Sequence, residues 1–176
     1  PGIDVLASQN FAPLGGRRIG LVTNQTGVDS SGNKTRVILR KARNLELVAL
    51  FSPEHGIDGT IGAGKHVSTR RAPVTGLTVY SLYGPTRKPT PAMLAPIDVL
   101  VFDLQDIGCR SYTYISTMIV SMEAAAENGK LFVVLDRRDV RRSLEAWLAE
   151  RRASDPPRTT DWGPALWARP WLFAAG

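Results

Sequence analysis

Leu47-Val48-Ala49-Leu50-Phe51-Ser52-Pro53-Glu54-His55-Gly56 decides the architecture. Its first five residues are apolar with no polar face, the pattern of a strand covered on both sides in a parallel sheet. Open parallel sheets bind ligands just beyond the carboxyl ends of their strands. Pro53 and Gly56 punctuate a turn at that end and hold Glu54 and His55 in the crevice. Val99-Leu100-Val101-Phe102 repeats the design and runs into Asp103-Leu104-Gln105-Asp106. Two strands therefore deliver carboxylates to one rim.

Outward from this centre, strand and helix signals alternate through residue 136. Strands are expected over 18–23, 45–51, 77–82, 97–104 and 130–136. A polar, glycine-bearing loop over 24–32 follows the first strand. Asn33 is placed to cap a helix over 34–43. Residues 56–72 form a long, basic, glycine-rich loop without periodicity, a type that is usually functional or mobile. Thr90 and Pro91 mark the start of a short helix. Residues 112–128, rich in Ala, Met and Glu and closed by Gly129, give the strongest helix. Within it Tyr114, Met118 and Met122 are spaced like a buried stripe. The alternation predicts an α/β class: a Rossmann-like, doubly wound, mostly parallel sheet with helices on both faces. Right-handed crossovers then bring the strand-end loops to one edge.

The 176 residues suit one ordinary domain, and a composition 43% hydrophobic and 22% charged is that of a globular protein. No apolar run reaches the ~18 residues of a membrane span. No leader-like stretch is visible, and the chain opens on Pro1 rather than Met, which leaves room for a segment ahead of it. The single cysteine, Cys109, excludes an internal disulfide and a cysteine-rich metal site. The net charge of +6 is spread without a Lys/Arg stripe interleaved with aromatics, so no nucleic-acid partner is expected. Residues 1–136 hold 14 Lys and Arg against 11 Asp and Glu, and residues 137–176 hold 8 against 5. The shorter segment thus carries half the excess. It also holds all four tryptophans and no lysine, which marks a change of composition. Residues 141–152 suit a helix with Leu144, Trp147 and Leu148 on one face; beyond 153 no periodicity is found.

Familiar motifs of other α/β enzymes are missing. The first strand runs into Asn24-Gln25-Thr26-Gly27, with no G-x-G-x-x-G for a dinucleotide. Neither a phosphate-cradling loop nor a G-x-S-x-G elbow occurs. His55 and His66 are the only histidines, too few for an ordinary metal site. No cofactor and no metal are expected.

Four motifs in order carry a resemblance: residues 21–27 (Leu-Val-Thr-Asn-Gln-Thr-Gly), 50–56 (Leu-Phe-Ser-Pro-Glu-His-Gly), 80–90 (Tyr-Ser-Leu-Tyr-Gly, then Thr-Arg-Lys-Pro-Thr), and 102–106 (Phe-Asp-Leu-Gln-Asp) leading to Arg110 and Tyr112-Thr113-Tyr114. Over about residues 2–137 the chain resembles the NamZ-type exo-β-N-acetylmuramidases, bacterial peptidoglycan-recycling glycosidases. The resemblance implies removal of β-N-acetylmuramic acid (MurNAc) from the non-reducing end of peptidoglycan fragments. It implies an N-terminal Rossmann-like domain, a smaller C-terminal domain, and an active site in the cleft between them. It implies a periplasmic or extracellular location.

The expected division is a catalytic-type domain over 1–137 and an atypical tail over 138–176. Relatives continue with Asp-Arg-Pro-Asn-Pro, whereas Asp136-Arg137 here runs into Arg138-Asp139-Val140. A truncated or frameshifted member is the expectation; an intact second domain in another frame of the source locus would support it. Apolar surface left by a missing second domain predicts self-association.

Glycoside hydrolysis usually needs one carboxylic acid to protonate the leaving oxygen and a second group to attack or activate water. Glu54, beside Phe51 and Pro53, is the acid candidate, its proton affinity expected to be raised by an apolar rim. Asp103 and Asp106 are the second-carboxylate candidates; the alternative for both is a turn-capping role. The substrate's own acetamido group is a further candidate nucleophile. Asn24 is a candidate for orienting that group, or else a turn residue. His55 and Gln105 are candidates for hydrogen bonds to sugar. Arg87 and Arg110 suit the lactyl carboxylate of muramic acid, with Lys88 more readily a solvated charge. Tyr83 and Tyr112 suit stacking or hydroxyl donation. Two other readings stand beside hydrolysis: a non-catalytic carbohydrate-binding remnant, and a Rossmann-like enzyme with another substrate.

Overall fold

The computed structural model describes residues 1–106 and 113–135, and the backbone of 172–173. The expectations for Arg110, Tyr112, the helix over 141–152 and nearly all of the tail lie outside the described residues.

The elements in chain order are α1 (Gly2–Ser8), β1 (Arg18–Thr23), α2 (Thr35–Lys41), β2 (Glu46–Ser52), β3 (Arg70–Arg71), β4 (Thr78–Ser81), α3 (Pro91–Leu94), β5 (Val99–Asp103), α4 (Tyr114–Glu127), β6 (Leu131–Val134) and β7 (Leu172–Phe173). A short 3-10 turn, Ala12–Leu14, leads into β1. The sheet order is β3-β4-β2-β1-β5-β6-β7. Every pairing is parallel except that of β3 with β4. Without β3, this is the strand order of the Rossmann fold, which reverses direction between β1 and β5. The loops after β1 and β5 diverge there and open a crevice.

Alternation along the strands splits the core in two. On one face Val22, Phe51, Leu100, Phe102 and Phe132 pack with Leu94, Tyr114, Met118 and Ala124 of α3 and α4. On the other, Ile19, Leu21, Leu50, Val99 and Val101 pack with Ile3 and Leu6 of α1 and Leu39 of α2. Both faces are therefore covered, which is why the central strands read as unbroken apolar runs. The stripe expected on α4 is present: Tyr114 and Met118 are buried and Met122 packs beside them. Gly20 keeps the sheet centre closed, because a Cβ there would stand 2.9 Å from both Phe51 and Ile97.

Several details depart from expectation. Asn33 does not cap α2; it closes a turn with Asp29, donating through its side chain at 2.9 Å and its amide at 2.7 Å. The N-cap position falls to Lys34, which makes no side-chain cap, and α2 is shorter than 34–43. Nothing in the periodicity of residues 1–14 announces α1. Thr90 does cap α3, its hydroxyl oxygen accepting the Met93 amide, and Gly129, at φ 64°, closes α4. Among the described residues Val74 is the one large hydrophobic side chain left largely exposed.

The loop between β2 and β4 is stitched down despite its lack of periodicity. Arg36, 8% exposed, donates to the Ile57 carbonyl at 2.9 Å and pairs with Asp58 at 2.6 Å. Arg70 at the edge of the sheet pairs with the other Asp58 oxygen at 2.9 Å. Ile57 and Val67 are buried beneath. Arg36→Met keeps the packing of the stem but strands the Ile57 carbonyl and half of the Asp58 pair. The expected cost is about 1–3 kcal/mol, the range for leaving a buried acceptor unsatisfied. Faster limited proteolysis within residues 58–66 should accompany it; an unchanged cleavage rate would show that the loop does not depend on Arg36.

Candidate active site

Pro53, Glu54, His55 and Gly56 form a turn closed by the Gly56 amide on the Pro53 carbonyl at 3.1 Å. His55 and Gly56 both take positive φ, at 69° and 75°. A histidine tolerates that region better than most side chains, and such residues cluster at functional sites. The turn stands at the carboxyl end of β2, where the sequence places it.

Glu54 is 9% exposed and heavily partnered. One carboxylate oxygen accepts the Gly64 amide at 2.9 Å, and the other accepts the Thr113 hydroxyl at 2.8 Å. The Tyr83 phenol, just past the end of β4, donates to the same carboxylate. Three loops thus converge on one side chain. Burial works to raise the Glu54 pKa, but the hydrogen bonds from Gly64, Thr113 and Tyr83, with the nearby His55, outweigh it and hold the carboxyl below the ordinary glutamate range. The expectation of a raised proton affinity is therefore corrected: in the free protein Glu54 is a carboxylate. The same hydrogen bond raises the pKa of Tyr83. A depressed pKa in the folded state lends stability that is present at neutral pH and is lost as pH falls through the depressed value. Thr113→Val removes one of the three donors. The Glu54 side-chain carbon, followed by NMR, should then titrate at higher pH than in the parent. An unmoved midpoint would show that the hydroxyl does not hold the anion.

His55 is half-buried, and its Nδ1 lies 2.8 Å from the Ile61 carbonyl. A carbonyl only accepts, so Nδ1 carries a proton directed at Ile61. No group of His, Cys, Asp and Glu fit to hold a metal occurs among the described residues.

The crevice between β1 and β5 is built tightly. Thr23 donates through its hydroxyl to the Asp103 carbonyl at 2.9 Å. Asn24, 1% exposed, accepts the Thr26 amide at 2.8 Å and the Thr26 hydroxyl at 2.7 Å on its Oδ1. Thr26 Oγ1 in turn accepts the Gln105 amide at 3.0 Å. Asn24 is thus a turn builder, and only its Nδ2 is left without a partner among the described residues. Gly27 lies against Asp103, where a Cβ would come within 3.1 Å of both its carbonyl and its carboxylate. Asp103 and Asp106 are both buried, at 3% and 2% exposure.

Arg87 is exposed and stacks over Tyr83, its guanidinium carbon 5.1 Å from the ring centroid. Lys88 is not a solvated charge: it pairs with Glu127 at 2.7 Å and Glu123 at 3.5 Å on α4. The structure thus joins Glu54 and Tyr83 directly, with Arg87 stacked on Tyr83. Asn24, Asp103 and Gln105 gather around the neighbouring switch point. Thr113 and the Gly64 amide are the contacts that sequence reasoning missed. Thr113 stands inside the Tyr112-Thr113-Tyr114 motif; the Gly64 amide carries no side-chain signal at all.

A Rossmann-type sheet with a buried, hydrogen-bonded carboxylate at the end of a strand defines a Rossmann-like α/β domain. The chain belongs to the NamZ family: its model, described as exo-beta-N-acetylmuramidase NamZ, N-terminal, matches residues 19–147. A peptidoglycan beta-N-acetylmuramidase NamZ of Bacillus subtilis (strain 168) is 52% identical over 136 residues, covering 77% of this chain and 33% of that protein. Two crystal structures of DUF1343 family proteins from Bacteroides fragilis NCTC 9343 share the fold. One has a TM-score of 0.72 at 60% identity, the other 0.61 at 33%. Each match covers 78% of this chain and 34% of the other. The chain spans about a third of the length of these relatives.

Proposed function

We propose that this chain carries the catalytic carboxylate of a glycoside hydrolase that releases β-linked MurNAc from the non-reducing end of peptidoglycan fragments. The observation that supports this reading best is Glu54, ionised, nearly buried and gripped by three donors at the mouth of the sheet. Burying a carboxylate is costly unless its acceptors are filled, and such fixed charges belong to sites that stabilise reacting groups.

Glu54 acts as the carboxylate partner. It draws a proton from the attacking water or faces the positive charge that develops at the anomeric carbon. The leaving oxygen takes its proton from a second carboxyl group, for which Asp103 and Asp106 stand in line. Strands β2 and β5 are separated by β1, so their ends lie two strand spacings, about 10 Å, apart. The reading carries with it a periplasmic or extracellular place of action.

The test is turnover of a chromogenic β-MurNAc glycoside by the 176-residue chain, with the β-GlcNAc analogue as control. MurNAc-selective release supports the reading. Binding of MurNAc without release points to a carbohydrate-binding role instead. Neither binding nor release sinks both.

A further inference from the structure

Arg87 and Lys88 are adjacent cations with opposite fates. Lys88 is spent on Glu123 and Glu127 of α4, which stakes the loop after β4 to the helix layer. Arg87 has no carboxylate partner among the described residues and lies exposed over Tyr83. That ring is itself fixed. The Tyr83 amide donates to Ser81 Oγ at 3.1 Å, its carbonyl accepts the Val67 amide at 2.8 Å, and its hydroxyl reaches Glu54. A guanidinium laid on an aromatic face keeps its N–H edge turned outward, ready for a planar two-oxygen acceptor. The result is a cation with no carboxylate partner among the described residues, held across one aromatic ring from the candidate catalytic carboxylate.

Muramic acid differs from glucosamine by a lactyl ether on C3. The reacting bond is at C1, so the lactyl carboxylate lies across the sugar ring from the chemistry. One tyrosine ring separates Arg87 from Glu54 on the protein side, a comparable span. We propose that Arg87 pairs with the 3-O-lactyl carboxylate and thereby selects muramyl over glucosaminyl sugars. The assignment rests on the glycosidase reading for its substrate, and on the geometry of Tyr83, Arg87 and Lys88 for its residue. Arg87 is a specificity residue; it moves no proton.

The test compares the 176-residue chain with Arg87→Ala and Arg87→Lys. Arg40→Gln, an exposed arginine on α2 outside the site, removes the same charge as a control. Two readouts are taken: kcat/KM on chromogenic β-MurNAc and β-GlcNAc glycosides, and affinity for free MurNAc and GlcNAc by ligand-observed NMR. In Arg87→Ala the MurNAc value should fall about 10- to 100-fold, the effect of losing one charge-assisted pair. The GlcNAc value should hold, Arg87→Lys should recover part of the loss, and Arg40→Gln should match the parent. Selective MurNAc turnover that survives Arg87→Ala overturns the inference and leaves the glycosidase reading standing. A parent that turns over neither sugar but binds MurNAc through Arg87 does the reverse. A parent that neither binds nor turns over MurNAc overturns both.

Discussion

Glu54→Gln should abolish turnover of a β-MurNAc glycoside, lowering kcat by about a thousandfold or more, with KM changed little. Acid–base groups contribute about 10²–10⁴ to rate, and a carboxylate facing a developing oxocarbenium adds electrostatic stabilisation that an amide cannot replace. The substitution is nearly isosteric. The amide oxygen still accepts the Gly64 N–H, and the amide nitrogen can turn toward the Thr113 hydroxyl oxygen. What is lost is the charge in those bonds, worth about 1–2 kcal/mol, so the melting temperature should fall by only a few degrees. Rate and stability therefore separate. A variant that keeps kcat refutes the role given to Glu54; one that loses kcat together with cooperative melting says only that the fold failed. The pH profile gives a second check. Because Glu54 is held below the ordinary glutamate range, the acid limb that it sets in kcat/KM should also lie below that range, and Thr113→Val should move the limb upward.

The parts of this arrangement legible in the sequence are those written in consecutive residues. Leu47 to Phe51 and Val99 to Phe102 read as buried parallel strands because helices cover both faces, which leaves no polar register to conceal them. Pro53 and Gly56 locate Glu54 at a strand end for the same local reason. The proton affinity of Glu54 was not legible. Its neighbours in sequence are apolar, and an apolar rim raises a carboxyl pKa. Its neighbours in space are donors: the amide 10 residues on and the hydroxyl 59 residues on, together with the Tyr83 phenol. They reach it only after the loops of three strands converge.

The stitching by Arg36 is hidden in the same way. Its partners Ile57 and Asp58 are 21 and 22 residues away, in a loop with no period to read. Helix α1 and strand β3 have too few residues for periodicity to declare them. Asn33 shows the converse error. A capping residue directly before a helix-forming run is also a turn residue, and here Asp29 supplies enough acceptors to hold it in the turn.

Gly27→Ala carries the largest expected effect on stability, because it strikes the switch point from which the site is built. A Cβ at residue 27 would press into Thr23 Oγ1 and stand 3.1 Å from the Asp103 carbonyl and carboxylate. Thr23 cannot swing away without giving up its 2.9 Å hydrogen bond to that carbonyl, and both residues are buried. Overpacking of this kind costs about 1–3 kcal/mol, and a stranded buried acceptor adds about 1–3 kcal/mol more. The alternative is for the loop after β1 to lift, which pulls Thr26 from the Gln105 amide and from Asn24. Either route separates the ends of β1 and β5. Urea unfolding should therefore show a lower midpoint with an unchanged slope. Any activity should drop further than the unfolded fraction explains, since Asp103 moves with the strand end. Thr23→Ser in the same background keeps the hydroxyl and removes the methyl, and it should not rescue the loss, because the clash is with the oxygen. Thr23→Ala should rescue the packing while leaving the Asp103 carbonyl without its donor. A Gly27→Ala protein with parental stability would show that this crevice has slack, and the close fit of Thr23, Gly27 and Asp103 would lose its claim to hold the site in place.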